Sequence, residues 1–433
     1  MIFNQKFECM PPGKLKALQL ERLKAITAYI DKDCPFYQKR LAEAGLHAKD
    51  IKSLSDIQKF PLTLKDDLRN NYPYGMLSVP LSKIIETHVS SGTTGNPTVV
   101  GYTAEDIDLW SEVMARSLCL SGARPGDMIQ IAYGYGLFTG GLGFHYGALK
   151  LGLSIIPCSS GLTPRQIKIM TDFKPRILAC TPSYSLYMAE AAREAGIDPF
   201  KSSWQIGIFG AEPWSVNMRT EIEKVWNMTA LDIYGLCEII GPGVAMECPC
   251  KTGLHLFSDV FYPEIIDPDT GKEVPEGQPG MLVLTTLTKT GMPLLRYATR
   301  DIVSINREPC ACGRTSPRIS KIQGRTDDML IVRGVNVFPS QIEQVLLNIE
   351  ETQPHYQLIV DRKPNGMDEL EVLVEVKEQF FSDELKKLEA LEDTIKKQIE
   401  AVLGVGASVR LVEPKSIARS EGKAKRVIDK RNI

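Results

Sequence analysis

Histidine is scarce in this chain, five in 433 residues, and no Ser, His and Asp follow one another in an order that suggests a hydrolytic triad. Little is therefore left for general-base chemistry on imidazole. An uninterrupted apolar stretch of membrane-spanning length is missing, and the opening Met1-Ile-Phe-Asn-Gln-Lys-Phe7 lacks the apolar core of a signal peptide. That predicts a cytoplasmic protein with no membrane partner. A basic excess is missing as well: the formal net charge of −2 gives no general attraction for nucleic acid or an anionic surface, so any basic site must be local. Low-complexity tracts and fixed-period repeats are absent, which excludes arrays and long disordered segments.

What is present is ordinary globular material, with 43% apolar and 24% charged residues. The length exceeds what one hydrophobic core usually supports and predicts a large domain with at least one smaller companion. Ten cysteines in a reducing compartment read as free thiols or metal ligands rather than disulfides, so their spacing matters more than their number.

Leu15, Leu18, Leu23, Ile26 and Ile30 recur among Lys, Glu and Arg, predicting an amphipathic helix in the opening segment. From about Ile84 to Leu284, short apolar runs at 128–132, 153–157, 176–180 and 205–209 alternate with helical patterns. The expectation is an α/β body with largely parallel strands. A turn-rich run, Gly271 to Gly280, leads into a predicted strand at Met281–Thr286, and a small β-subdomain is expected to begin near Glu247. Beyond Asp327 the pattern changes to strand 329–333, helix 340–348, strands 357–361 and 370–376, helix 383–403 and a final strand 408–412. That is a compact α+β unit of domain size.

The most informative segment is Ser90-Ser-Gly-Thr-Thr-Gly-Asn-Pro-Thr98, placed after a β-like run. Glycines let a backbone approach a phosphate chain, and hydroxyl and amide groups donate to its oxygens. The segment lacks the terminal Lys-Ser/Thr of a P-loop, which removes that class of NTPase. Further segments follow in order: Ala132-Tyr-Gly-Tyr-Gly-Leu-Phe-Thr-Gly-Gly-Leu-Gly143, Gly210-Ala-Glu-Pro-Trp214, Asp232-Ile-Tyr-Gly-Leu-Cys-Glu238, Arg296-Tyr-Ala-Thr-Arg-Asp301, Gly324 to Ser340, and Arg419 to Val427. In this order, over nearly the whole chain, they resemble the acyl-adenylate-forming superfamily of acyl-CoA synthetases, peptide-synthetase adenylation domains and luciferases. The resemblance is closest to phenylacetate-CoA ligases.

The resemblance implies a large N-terminal adenylate-forming domain (1–326), with α/β layers and a β-subdomain at about 247–320, and a small mobile α+β domain (327–433). It implies ATP, Mg2+ and coenzyme A as the small-molecule partners of an aryl acid, and related ligases often pair as homodimers. Ser90, Ser91, Gly92, Thr93, Thr94 and Gly95 would cradle phosphates. Ala211, Glu212, Pro213, Asp232, Ile233, Tyr234 and Gly235 would border the adenine, with the Tyr234 ring against the base. Glu238 would hold magnesium, since oxygen ligands suit that hard cation. Asp301 would accept from both ribose hydroxyls, with Arg325 beside the α-phosphate. Lys423 would bring positive charge to the phosphorus undergoing attack, a term that is commonly large in a dry site. Asp327 would be the hinge, and Arg333, Gly334 and Val335 would face coenzyme A once the small domain has turned. The basic residues Lys425, Arg426, Lys430 and Arg431 read more simply as a solvated tail, with coenzyme A phosphates as a second reading.

Two positions depart from the pattern. Asn96 stands where relatives often place lysine, weakening phosphate neutralisation, and Cys237 stands where Ser or Thr is usual, losing a good hydroxyl donor. For the acid, Tyr135, Phe138, Gly210 and Ala211 are the expected pocket, because glycines mixed with aromatic rings, Phe144 and His145 among them, suit a flat ring. Finally, Cys248-Pro-Cys250, His255 and Cys310-Ala-Cys312 offer thiolates and imidazole in two close clusters, the donor set of a closed structural zinc site. Five candidates compete for four places: Cys248, His255, Cys310 and Cys312 are favoured, with Cys250 the alternative.

Overall fold

The computed structural model describes residues 1–90, 96–325, 330–333, 335–362, 367–380, 385–420 and 426–431. Its backbone is a nine-stranded sheet. In spatial order the strands are Ser154–Pro157, Met128–Ile131, Ile177–Cys180, Ile206–Phe209, Thr229–Leu236, Gly241–Glu247, Leu254–Leu256, Arg318–Ile319 and Ile305–Asn306. The first five pair in parallel, joined by helices such as Gly140–Leu151, Thr163–Phe173, Pro182–Glu194 and Val216–Trp226. Ile177–Cys180 and Ile206–Phe209 are buried at every residue, as continuous apolar strands covered on both faces must be. The other four pairings are antiparallel. The expectation of largely parallel strands therefore holds for the first half of the sheet only, because the crossover helices that parallel pairing requires stop at Trp226.

Strand Met128–Ile131 lies between the two strands that follow it in sequence, so the chain reverses direction across the sheet there. Such a switch opens a crevice beyond the carboxyl ends of the strands. The segments beginning at Ala132 and Gly210 leave the sheet at those ends.

A second, antiparallel sheet orders Phe261–Ile266, Gly280–Thr286, Tyr297–Val303 and Gly324–Arg325. Strands in 247–320 are thus shared between two sheets: Leu254–Leu256, Ile305–Asn306 and Arg318–Ile319 extend the large one. The opening helix runs Pro12–Asp33 and buries Leu15, Leu23, Ile26 and Ile30, as the periodicity predicts.

Residues from Leu330 onward have their own core, built from Val332, Val337, Ile342, Leu358, Val372, Ile395 and their neighbours. A hairpin, Leu330–Val332 with Val335–Val337, replaces the single strand expected at 329–333. Helices Pro339–Leu346 and Leu385–Leu403 accompany a sheet ordered Ser408–Val412, Asp368–Val376, Thr352–Arg362 and Val427–Asp429. Ser408–Val412 is not the final strand: Val427–Asp429 pairs in parallel with Leu358–Val360. Three residues in a basic segment carry no periodic signal of their own, and the pairing is supplied by the exposed sheet edge.

Candidate active site

Backbone geometry past the end of strand Ile206–Phe209 and inside strand Tyr297–Val303 prepares the cleft. Ala211 sits at φ 69° and Arg300 at φ 68°, left-handed conformations that cost a residue with a Cβ energy and cluster at functional turns. Gly210 has no room for a side chain, since a Cβ there would lie 2.4 Å from the Ile233 carbonyl oxygen. The walls so formed enclose a cavity of about 630 Å³ between the large lobe and the residues beyond Leu330.

Gly210, Ala211, Glu212, Pro213, Asp232, Ile233, Tyr234, Gly235, Asp301 and Arg325 all line this cavity. The Tyr234 hydroxyl donates to Asp301 Oδ2 at 2.5 Å, and Arg325 Nη1 lies 3.4 Å from Asp301 Oδ1. Asp301 and Arg325 face one another across an antiparallel strand pair, so the register of the second sheet sets their meeting. Burial raises the Tyr234 phenol, and Asp301 raises it further, so the phenol stays protonated and remains a donor. Burial likewise raises the Asp232 carboxyl against the pull of Lys321. Glu212 turns aside to accept from the Ser183 amide at 2.8 Å, in the first turn of helix Pro182–Glu194, where a carboxylate is favoured.

Glu238 lies off the cavity wall but close to its charges. It is buried, with Lys65 Nζ and Thr98 Oγ1 each 3.4 Å from its Oε1. Ser90 Oγ bonds Thr98 Oγ1 in turn. The two ends of the Ser/Thr/Gly segment therefore meet at this carboxylate. Tyr297, whose phenol is raised by burial, feels Glu238, Arg325 and Asp301 together. The departures fall at the same place: Cys237 Sγ is 3.1 Å from Thr139 Oγ1, and Asn96 is exposed. Ser91, Gly92, Thr93, Thr94, Gly95, Asp327, Gly334 and Lys423 lie outside the described residues.

Tyr135 and Phe138 do not line the cavity. The Tyr135 hydroxyl is 3.3 Å from His145 Nδ1, and the Phe138 side chain is 54% exposed. Arg333 and Val335 are also away from it: Arg333 Nε donates to the Asp368 carbonyl at 2.9 Å, on the hairpin of the small lobe.

Sequence reasoning missed the groups that the small lobe brings to the cavity. Glu343 lines it, accepting from the Ser215 amide at 3.1 Å and from the Tyr356 hydroxyl at 3.0 Å. Arg426 stacks over the Tyr356 ring at 4.4 Å and also lines it, while the Arg431 guanidinium pairs with Asp368 at 2.9 Å. These two arginines are therefore not a solvated tail, because the unforeseen strand Val427–Asp429 carries them inward. A signal for Glu343 existed: an acid among Ile342, Val345 and Leu346, all buried, on an apolar helix face where Glu rarely sits unpaired. Lys321, also lining the cavity, donates to the Trp214 carbonyl at 3.1 Å.

Contacts between the lobes extend past the cavity. His355 Nε2 lies 2.9 Å from Glu190 Oε1, and Arg419 joins Glu190 at 3.1 Å to Glu375 at 2.7 Å. Asn217 donates to Asn348 at 2.6 Å.

At the other half of the large sheet, Cys248, His255, Cys310 and Cys312 present ligand atoms all within 4.8 Å of one another. Cys248 and Cys310 Sγ are 3.7 Å apart, close to the edge of a tetrahedron with zinc–sulfur bonds of about 2.3 Å. His255 turns Nε2 toward Cys312 Sγ at 3.4 Å and Nδ1 toward Ser316 Oγ at 3.0 Å. A partner on the second ring nitrogen is the usual support of a metal-binding histidine. Cys250 is exposed and outside the group. The donor set thus fits a closed four-coordinate zinc. No helix among the described residues is long and apolar enough to cross a membrane.

Residues 64–288 match the family model of the AMP-binding enzyme, and residues 334–431 match that of the AMP-binding enzyme C-terminal domain. The chain is 48% identical to the phenylacetate-coenzyme A ligase of Thermus thermophilus over 445 residues, covering 100% of both. It is 51% identical to that of Aromatoleum evansii over 421 residues, 96% of this chain and 95% of the relative. Among solved structures, a 2-hydroxyisobutyryl-CoA ligase in its postadenylation state, in complex with R3-HIB-AMP, superimposes with a TM-score of 0.92 at 31% identity, over 98% of this chain and 92% of the other. The same ligase with 2-HIB-AMP and CoA in its thioesterification state gives 0.73 at 32% identity, over 99% and 92%.

Proposed function

Because the chain belongs to the family of AMP-binding enzymes, and within it to the phenylacetate-coenzyme A ligases, we propose that phenylacetate is its substrate acid. It is an AMP-forming acid–thiol ligase. A carboxylate oxygen attacks the α-phosphorus of ATP, and pyrophosphate leaves. The coenzyme A sulfur then attacks the acyl carbonyl, and AMP leaves. The substrate carboxylate is itself the nucleophile, so the scarcity of histidine is no handicap.

The observation that carries the residue assignment is the meeting of Tyr234, Asp301 and Arg325 in one cavity walled by Gly210 to Pro213. The Asp301 carboxylate accepts from the ribose hydroxyls, and the raised Tyr234 phenol holds that carboxylate in place. Arg325 neutralises it and faces the α-phosphate; a charge-assisted contact of this kind is stronger than a neutral one. Gly210 and Ala211 allow the acid to approach the phosphorus along the backbone, with Tyr135 and Phe138 on the loop that would close over the ring. Glu238, with Thr98 and Lys65 beside it, would hold Mg2+, which would offset phosphate charge. Lys423 supplies the cation that acts in the first step.

The better superposition on a postadenylation state than on a thioesterification state supports reading this arrangement of lobes as the adenylating one. We take residues 1–326 and 327–433 as the bodies that move, with Asp327 as the hinge. Turning the small lobe would break the Glu190–His355–Arg419 contacts and withdraw Glu343 and Arg426, and Arg333, Gly334 and Val335 would then face coenzyme A. Zinc at Cys248, His255, Cys310 and Cys312 has a structural role, and its need for reduced thiols supports a cytoplasmic setting.

A panel of acids with ATP and coenzyme A tests the reading, with AMP and thioester both measured. Phenylacetate is expected to give the highest kcat/KM and 2-hydroxyisobutyrate a far lower one. Pyrophosphate exchange with no thioester for any acid would move the acceptor away from coenzyme A. An aliphatic acid outrunning every aryl acid would overturn the substrate.

A further inference from the structure

Lys289 is completely buried, and among the described residues it has no carboxylate partner. A buried ammonium with no carboxylate in direct contact is uncommon. Its Nζ donates to the Ile239 carbonyl at 2.9 Å and approaches the Glu238 carbonyl at 3.4 Å. It lies 4.8 Å from the centroid of the Tyr102 ring, and the Tyr102 hydroxyl donates to the Cys237 carbonyl at 3.3 Å. Three consecutive carbonyls of the turn that carries Glu238 are thus held by two side chains from outside it. Burial pushes the lysine down to about 8, with Asp106, Cys237 and Glu238 opposing that shift.

We propose that Lys289, assisted by Tyr102, is a positioning residue for adenylate formation: by clamping the 237–239 carbonyls it aims the Glu238 carboxylate at the triphosphate and its metal. The turn joins two antiparallel strands, Thr229–Leu236 and Gly241–Glu247, and among the described residues the only donors to its 237–239 carbonyls are Tyr102 and Lys289. The aim of Glu238 is then fixed from behind, while Thr98 and Lys65 touch the carboxylate from in front. The proposal rests on the reading of Glu238 as the metal-facing carboxylate, and the test separates the two.

Mg2+-dependent ATP binding by calorimetry and ATP–pyrophosphate exchange are both followed across a Mg2+ titration for Lys289→Met, Tyr102→Phe and Glu238→Gln, and thioester formation is followed separately from preformed acyl-adenylate. Supporting groups behind a metal ligand are typically worth 10- to 100-fold. Lys289→Met is expected to raise the Mg2+ concentration for half-maximal exchange by about tenfold or more, with thioester transfer nearly unchanged. Tyr102→Phe, which removes one hydroxyl, is expected to shift the same quantity by about threefold, and it decides the matter if Lys289→Met does not fold. Equal losses in both half-reactions with an unmoved Mg2+ dependence would make Lys289 merely structural and overturn the proposal. If Glu238→Gln shifts the Mg2+ dependence and the other two do not, the positioning role alone fails. If Glu238→Gln leaves it unmoved, the reading of Glu238 fails first.

Discussion

The cavity between the lobes and the cysteine cluster are both assembled from residues far apart in sequence, yet they are built in opposite ways. The cavity takes groups from two lobes with separate cores, leaves room inside, and is closed by contacts such as Glu190 to His355. The cluster takes its four groups from one lobe, three of them buried, with their ligand atoms all within 4.8 Å of one another. On the proposed reading, a site that must admit and release reactants lies across the boundary of two lobes, whereas a site that ties chain segments together lies within one.

The largest expected break in this comparison comes from Lys423→Ala. Adenylate formation should fall by about three orders of magnitude, the scale of removing one transition-state charge contact. Thioester transfer from preformed adenylate should stay comparatively intact, and single-turnover assays of the two steps check this. Equal loss would mean that the small lobe does not alternate. Asp301→Ala should come next, raising KM for ATP and lowering kcat/KM by about 10- to 100-fold through lost charge-assisted hydrogen bonds of about 1.5–3 kcal/mol. Steady-state kinetics with varied ATP read it out.

Cys310→Ser tests the other side. It should abolish a zinc content of about one per chain and lower the melting temperature by several degrees, leaving KM for ATP within about twofold. Metal analysis and thermal melts would show it, and an equally large loss of ATP affinity would erase the distinction between the two sites.

The smallest effect concerns the latch. Glu190→Gln should speed the thioester step by about two- to fivefold, in line with the modest worth of a partly exposed pair. Burial pushes the His355 imidazole below its ordinary 6.5, while the Glu190 hydrogen bond raises it; Arg419 and Glu375 face the same ring. A released His355 therefore takes up a proton at higher pH than a docked one. Docking is complete above about 6.5 and weakens as pH falls toward the lowered value of the docked ring. The ratio of the two half-reaction rates should accordingly shift toward thioester formation between pH 7 and about 5.5 in the parent enzyme, and more steeply in Glu190→Gln, where the group that raises the docked ring is gone.

Much of this was legible from the chain. The strands at 128–131, 177–180 and 206–209 are short apolar runs bounded by turn residues, and full burial requires that composition. The cavity-lining segments Gly210 to Pro213 and Asp232 to Gly235 were legible as continuous runs, with Gly210 and Gly235 at points where the neighbouring backbone leaves no room for a side chain. Glu343, Tyr356, Lys321 and Lys289 were not. Each is a single polar residue in an unremarkable stretch, and its meaning arises only from which neighbours burial leaves for it.

Order of motifs, the apolar periodicity of the strands and the thiol spacing were determined by the sequence itself, since each is a local demand on backbone or side-chain chemistry. Tertiary structure alone decided that Arg325 meets Asp301, that Cys250 stays outside the cluster, and that Arg426 faces a cavity instead of solvent. Those outcomes depend on strand register and lobe docking, and both are settled by long-range packing that no short window of residues contains.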